Sequence, residues 1–440
     1  VPLTDPEKAA LIVLTKSKEG SVYFAHNLSF DFFLIFPSLL RLGVTISWDF
    51  CDFNLSAVKL TYKGRTLELR CSYHFIPTGL GKLYPRLSTR PKLGFPYKEL
   101  SNWNPRRLVR SCPDSHLVDK KYHNLSLSAY IKIYACQDSA ILYEALHKYK
   151  YVIRDFDLDV PPYPVSCGEL AVSNFLKYEE VRRWNLSSLC ERSLRSALLG
   201  DRCEVLGNAN SGTPLYRFEL LELVEDCLSE NMPCGNFRHY YGDGIVREPG
   251  FYRIRAKVSG HLPVLPVLQK ALIFPEGEIS GWFWFEEILL ADQLGQLTNL
   301  KVLEVYYCDS FEPTLRTYLD LIISYKDLSR SAGQASAMLI SSVQKELGLK
   351  REYTTLAFDN LDGKAEVFSV VEGVTLYKST GTRTKVTNVG VAAAIASKRR
   401  VRIYKAMREI QAQGGKLLYV QGGFFFASFS TPCTPSLSRD

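Results

Sequence analysis

Apolar residues in the first 160 positions fall into short runs separated by polar turns, and the runs have two periods. Leu11 to Thr15 and Val22 to Ala25 have the length and residue types of strands. Asp31 to Leu42 follows the second of these with apolar residues at helical spacing, and Gln137 to Tyr151 repeats that spacing through Ile141, Leu142, Ala145 and Leu146. Strands alternating with helices predict an α/β domain over residues 1–155. Residues 76–124, rich in Pro, Gly and basic side chains, are expected to be mostly loop. Pro161, Pro162 and Pro164 mark Asp155 to Cys167 as a linker.

Beyond it, Glu169 to Leu199 reads as helical. Phe251 to Val258 and Lys301 to Tyr307 read as strands around a helix near Glu286 to Leu294. A long helical region, Leu315 to Gly348, precedes a helix with a basic face, Val386 to Gln413, and a strand pair within Leu417 to Phe429. Residues 156–440 therefore predict a second, α+β region.

Composition narrows the class. A chain of 440 residues that is 46% hydrophobic can bury two or three cores and is not disordered. The net charge of +8 suits a polyanionic partner, but a merely basic protein has the same charge. None of the 11 cysteines forms a CxxC pair, so zinc and dithiol chemistry are not indicated and a reducing compartment is expected. The most apolar stretch, Phe32 to Ile46, is broken by Pro37 and Arg41, so no membrane partner is expected. The chain opens on Val1 with no signal or transit segment, and the start of a longer protein is expected to be missing.

Two short motifs carry candidate chemistry. His26-Asn27-Leu28-Ser29-Phe30-Asp31 ends a strand and opens a helix, and Tyr134-Ala135-Cys136-Gln137-Asp138 sits on another helix. Carboxylates converging on hard divalent cations are what two-metal phosphodiester hydrolysis needs, and a tyrosine one turn before an aspartate can orient the attacking water. Between the motifs lie Ser72-Tyr73, Ile76 to Leu83, and Gly94-Phe95-Pro96-Tyr97. In this order the series resembles the exonuclease region of family B DNA polymerases of the protein-primed plasmid and organelle type. That resemblance implies a ribonuclease-H-like 3′–5′ exonuclease domain. It makes Asp31 and Asp138 the Mg²⁺ ligands, Tyr134 the water-orienting group, and Asn27 and Phe30 nucleic-acid contacts. The family's first motif, Asp-x-Glu, is expected before Val1, because Asp5-Pro6-Glu7 holds a proline unsuited to a strand.

The resemblance continues through residue 429 as a palm and fingers region, with the thumb absent or truncated. Gly200, Arg202 and Glu204 fall on the motif that holds single-stranded DNA. Phe274-Pro275-Glu276-Gly277-Glu278, with Trp282 and Glu286-Glu287, matches a structural part of the palm. The reactive positions differ. Glu219 stands at the metal-binding aspartate and Val224 at the sugar-sensing tyrosine. Ile340, Gln344 and Leu347 stand at the lysine, asparagine and tyrosine of the nucleotide-binding helix, leaving Gly348. Gln421 and Gly423 replace the two catalytic aspartates. The basic cluster Lys398, Arg399, Arg400, Arg402, Lys405 and Arg408 is, by family context, expected to grip phosphates.

Three readings follow. The first is a DNA-directed DNA polymerase with an exonuclease domain, from the protein-primed replication of linear plasmid or mitochondrial DNA, whose polymerase site is inactive. The second is a catalytically dead derivative that binds nucleic acid, DNA by family or else RNA, or serves as a structural part of an organellar ribonucleoprotein. The third is a decaying reading frame.

Overall fold

The computed structural model describes residues 5–51, 54–100, 102–155, 166–178, 186–209, 212–242, 246–349, 352–357, 366–371, 374–382, 388–430 and 437. The chain forms two compact units. The first comprises Val1–Leu170, Ile322–Leu339 and Glu352–Arg383, and the second comprises Ala171–Leu321, Ile340–Arg351 and Thr384–Asp440. The expected boundary at 155 adjoins residues 156–165, which lie outside the described ones. The segments 322–339 and 352–383, assigned by sequence to the second region, belong to the first unit.

The first unit is built on a seven-stranded sheet. Its strands run, in spatial order, Val22–Ala25, Arg65–Cys71, Asn54–Tyr62, Thr45–Cys51, Glu352–Ala357, Val374–Thr382 and Glu366–Val371. The first two are parallel and the other pairs antiparallel. The helix Leu28–Arg41 packs Phe32 and Leu39 into one core with Ile46, Val58 and Leu60 of the sheet. The predicted helix around Gln137 to Tyr151 is part of a longer one, Leu127–Asp155.

One expectation fails at the start of the unit. Leu11 to Thr15 is not a strand but the middle of the helix Pro6–Lys16. The start signals outweigh its short apolar run: Asp5 accepts from Lys8 N–H at 3.0 Å, Pro6 opens the helix, and Glu7 lies in the first turn. The same cap disposes of Asp5-Pro6-Glu7 as a metal-bearing strand. Residues 76–124 are mostly loop, as expected, with short 3₁₀ turns. Glu144 stitches this loop to the long helix, accepting from Arg90 Nε at 2.6 Å and from Ser88 Oγ and Thr89 N at 3.0 Å. The Arg90 guanidinium, with those donors, holds its carboxyl down to about 2.

The second unit holds two four-stranded sheets. One runs Gly277–Trp284, Gly250–Val258, Leu297–Glu312 and Met232–Tyr241, all antiparallel. The other runs Cys203–Val205, Lys416–Gln421, Phe424–Ser428 and Leu215–Glu219. The expected helical region from Leu315 is two helices, Arg316–Ser324 and Arg330–Leu347. The helix Val389–Ala412 begins with Asn388 capping Val391 N–H at 3.1 Å, and the run Val391 to Ala396 is wholly buried. Small residues there let neighbouring elements approach closely.

Candidate functional site

In the first unit, the strand Val22–Ala25 delivers His26, and Asn27 follows in the left-handed region at φ 65°. That turn opens the helix Leu28–Arg41 with Asp31 in its first turn. Asn27 and Phe30 are exposed, Phe30 at 69%. Asp31 makes no hydrogen bond or ion pair among the described residues, and desolvation raises its carboxyl above the usual range.

Tyr134 and Asp138 lie one turn apart on the helix Leu127–Asp155. Lys92 joins them: its ammonium donates to Asp138 Oδ2 at 2.6 Å and to Tyr134 OH at 2.7 Å. It also lies over the Tyr134 ring, 4.7 Å from the centroid. Burial, a hydrogen bond with Tyr97 and the Asp138 charge push the Tyr134 phenol up, so it stays protonated. His26 is held below its ordinary value, first by burial and then by the Lys92 charge. His26 Nδ1 lies 3.2 Å from Ser72 Oγ, which donates to Ala25 O at 3.1 Å.

The structure thus gathers Lys92, Tyr134 and Asp138. Sequence reasoning missed Lys92, whose one signal was its place two residues before Gly94-Phe95-Pro96-Tyr97. Asp138 Oδ1 is buried without a hydrogen-bond partner, as an atom awaiting a cation or water would be. Two carboxylates are nevertheless too few for a two-metal site, and Lys92 already neutralises one of them. No group of three or more His, Cys, Asp or Glu side chains converges among the described residues. The donors present do not fit the Mg²⁺ pair that the family resemblance implies.

In the second unit, the hairpin Lys416–Gln421/Phe424–Ser428 turns at Gly422 and Gly423. The neighbouring strand ends at Glu219, paired in register with Phe424, and Leu220 N–H donates to Gly423 O at 2.8 Å. Glu219 is therefore set beside the turn where the aspartates were expected. The turn itself carries no carboxylate: Gln421, whose amide oxygen accepts from Tyr419 OH at 3.0 Å, lies across Phe424 from Glu219, and Gly423 has no side chain. Its own ion pair is with Arg217 at 3.2 Å, both side chains being largely exposed. Ile340 and Leu347 are buried at 3% and 0%, so these positions pack the core and offer nothing to a triphosphate. Gln344 is tied to Arg399 Nη1 at 2.9 Å.

Two expected nucleic-acid contacts are corrected. Gly200 is exposed, but Arg202 is 3% exposed. Its guanidinium donates to Glu204 at 2.7 Å and to Pro263 O at 2.8 Å, and lies 4.1 Å from the Phe274 ring centre. The basic helix is likewise turned inward. Lys398 is 3% exposed and bonds Glu230 and Glu286, each at 2.6 Å. Arg399 pairs with Asp201, and Arg402 with Glu230 at 2.7 Å. Arg400 forms a two-pronged bond to Glu287 at 2.7 and 3.1 Å and donates to Leu199 O and Gly200 O. Burial would raise the Glu230 carboxyl, but Lys398 and Arg402 hold it below its ordinary value. Only Lys405 and Arg408 of the cluster are exposed. The sequence counted the cations correctly but could not show that each inward one had an acidic partner from another element.

The model of the family "DNA polymerase type B, organellar and viral" matches residues 12–341. A probable DNA polymerase of Neurospora intermedia is 24% identical over 85% of this chain and 43% of its own length. Another from Podospora anserina is 22% identical over 63% of this chain and 25% of its own. The chain spans less than half the length of these curated relatives. Among solved structures, phi29 DNA polymerase complexed with single-stranded DNA superposes with a TM-score of 0.68 at 15% identity, covering 97% of this chain and 74% of the other. The primer-template complex of that polymerase gives 0.67 at 15% identity and the same coverage. The expected mixed α/β polymerase fold is thus established, and with the family match it assigns the molecule: this chain belongs to the type B DNA polymerases of the organellar and viral kind.

Proposed function

We propose that this chain uses a protein-primed polymerase frame to hold DNA and does not add nucleotides to it. The carrying observation is the turn Gln421-Gly422-Gly423, which brings no carboxylate to Glu219. Nucleotidyl transfer needs metals held by converging acids, and one glutamate already paired with Arg217 cannot hold them. The relatives' names and the DNA in the matched polymerase structures support DNA as the partner. The organellar and viral character of the family supports a mitochondrial setting. Primer extension by the purified chain is expected to give no product with Mg²⁺ or Mn²⁺. Extension that disappears in Glu219→Ala would overturn the proposal and make Glu219 a metal ligand.

The exonuclease corner is expected to be nearly silent too. Asp31 and Asp138 supply only two ligands, so cleavage of single-stranded DNA should be very weak. The assay compares the wild type with Asp31→Ala and Asp138→Ala. Equal traces in all three mean contamination, whereas a clear loss in both variants would mean that further ligands complete the site.

A further inference from the structure

The first four-stranded sheet of the second unit has one face that the polymerase chemistry does not use. Along Gly250–Val258 the side chains alternate: Ile254, Ala256 and Val258 are buried, while Arg253, Arg255 and Lys257 point out. Lys301 on the adjacent strand lies directly opposite Arg255 in register. Like charges facing each other across a sheet destabilise it. Two carboxylates lie nearby: Glu304 is already engaged by Arg253 at 2.5 Å and His239 at 3.3 Å, and Glu278 lies opposite Lys257 in register but forms no ion pair among the described residues. Arg255, Lys257 and Lys301 make no ion pair among the described residues. Arg255 and Lys301 therefore face each other with no acid between them, and a polyanion laid across the row would relieve that repulsion.

The row has an aromatic border. Trp282 sits opposite Arg253 in register on one side. On the other, Tyr241 is 76% exposed and borders His239, which is stacked on Tyr306 at 4.4 Å and 12°. Cations two residues apart on a strand, about 6.6 Å, beside open ring faces are what an unpaired strand needs: phosphates on the cations, bases on the rings. A duplex would offer only phosphates.

We propose that this sheet face binds single-stranded nucleic acid, with Arg255, Lys257 and Lys301 on the backbone and Tyr241 under a base. This rests on the reading that the partner is nucleic acid and adds the surface that holds it.

The test is fluorescence anisotropy of labelled oligothymidylate with the full chain. The triple variant Arg255→Gln, Lys257→Gln, Lys301→Gln is expected to weaken binding roughly tenfold and to flatten the salt slope by about 2, as loss of three phosphate contacts requires. Tyr241→Ala is expected to weaken binding about fivefold or more, with the slope unchanged. Lys120→Gln with Lys121→Gln, an exposed pair in the first unit, should change neither. All these side chains are exposed, so unaltered melting curves will show that the variants are folded. Wild-type binding with an unchanged slope in the triple variant would remove this face and leave the nucleic-acid reading standing. No binding by the wild type would remove both. Preference for duplex with Tyr241→Ala silent, or equal competition by polyglutamate, would mean that the face reads negative charge alone and would overturn the proposal.

Discussion

Arg400→Ala is expected to destabilise the second unit by about 3–5 kcal/mol, the cost of stranding a charge in the interior. Glu287 is 1% exposed and Arg400 3%, so neither has water to fall back on. The substitution leaves the carboxylate without its two-pronged partner, and the carbonyls of Leu199 and Gly200 without a donor. The double variant Arg400→Met, Glu287→Leu removes both charges and should recover most of the loss, the two carbonyls accounting for the remainder. Urea unfolding of the two variants decides it. Equal loss in both, or a single-variant loss under about 1 kcal/mol, would mean that the pair adds packing but no buried charge.

Gly94→Ala is expected to have the second large effect, about 1–3 kcal/mol or more, from overpacking. A methyl at Gly94 would overlap the carbonyl oxygen of Leu117 and lie 2.7 Å from its carbon, and both are backbone atoms that cannot rotate away. The Gly94 carbonyl also accepts from the buried Tyr130 hydroxyl. The strain would fall on the loop that carries Lys92 and Phe95 to Tyr134, whose ring Phe95 meets at 4.7 Å. Thermal melting checks the stability. Chemical shifts of the Tyr134 ring check the displacement, and an unchanged spectrum would show that the loop absorbs the methyl at no cost to the cluster.

How far the sequence was legible depended on how local each signal was. The helix Leu28–Arg41 and the strand before it were readable because turn, cap and apolar spacing all lie within twenty residues. That Tyr134 and Asp138 share one helix was readable for the same reason. The strands Thr45–Cys51, Asn54–Tyr62 and Arg65–Cys71 were not read, although the last alternates cleanly, and their pairing is nonlocal. The strand Glu352–Ala357 pairs with Thr45–Cys51 across some three hundred residues, a partnership no window of sequence contains. The basic helix misled for a related reason: helical spacing showed which cations share an element, while their fate was set by Glu230, Glu286 and Glu287 on other elements. Lys92 was invisible because its role depends on Asp138, forty-six residues away.

The turn at Gln421 and Gly423 also bears on what the fold must tolerate. Acids gathered for a cation repel one another whenever the cation is away, and a working enzyme carries that as a standing cost to stability. Here an amide and a glycine carry no charge, and Glu219 has its own guanidinium. The hairpin can therefore close without an ion to quiet it. Melting curves of the second unit recorded in chelator and in Mg²⁺ are expected to superimpose. A rise in the melting temperature with Mg²⁺ that is lost in Glu219→Ala would show that the turn still answers to a metal. Freed from that repulsion, this corner keeps only charges that already have partners, Glu219 with Arg217 and Asp201 with Arg399, and it holds its shape without a divalent ion.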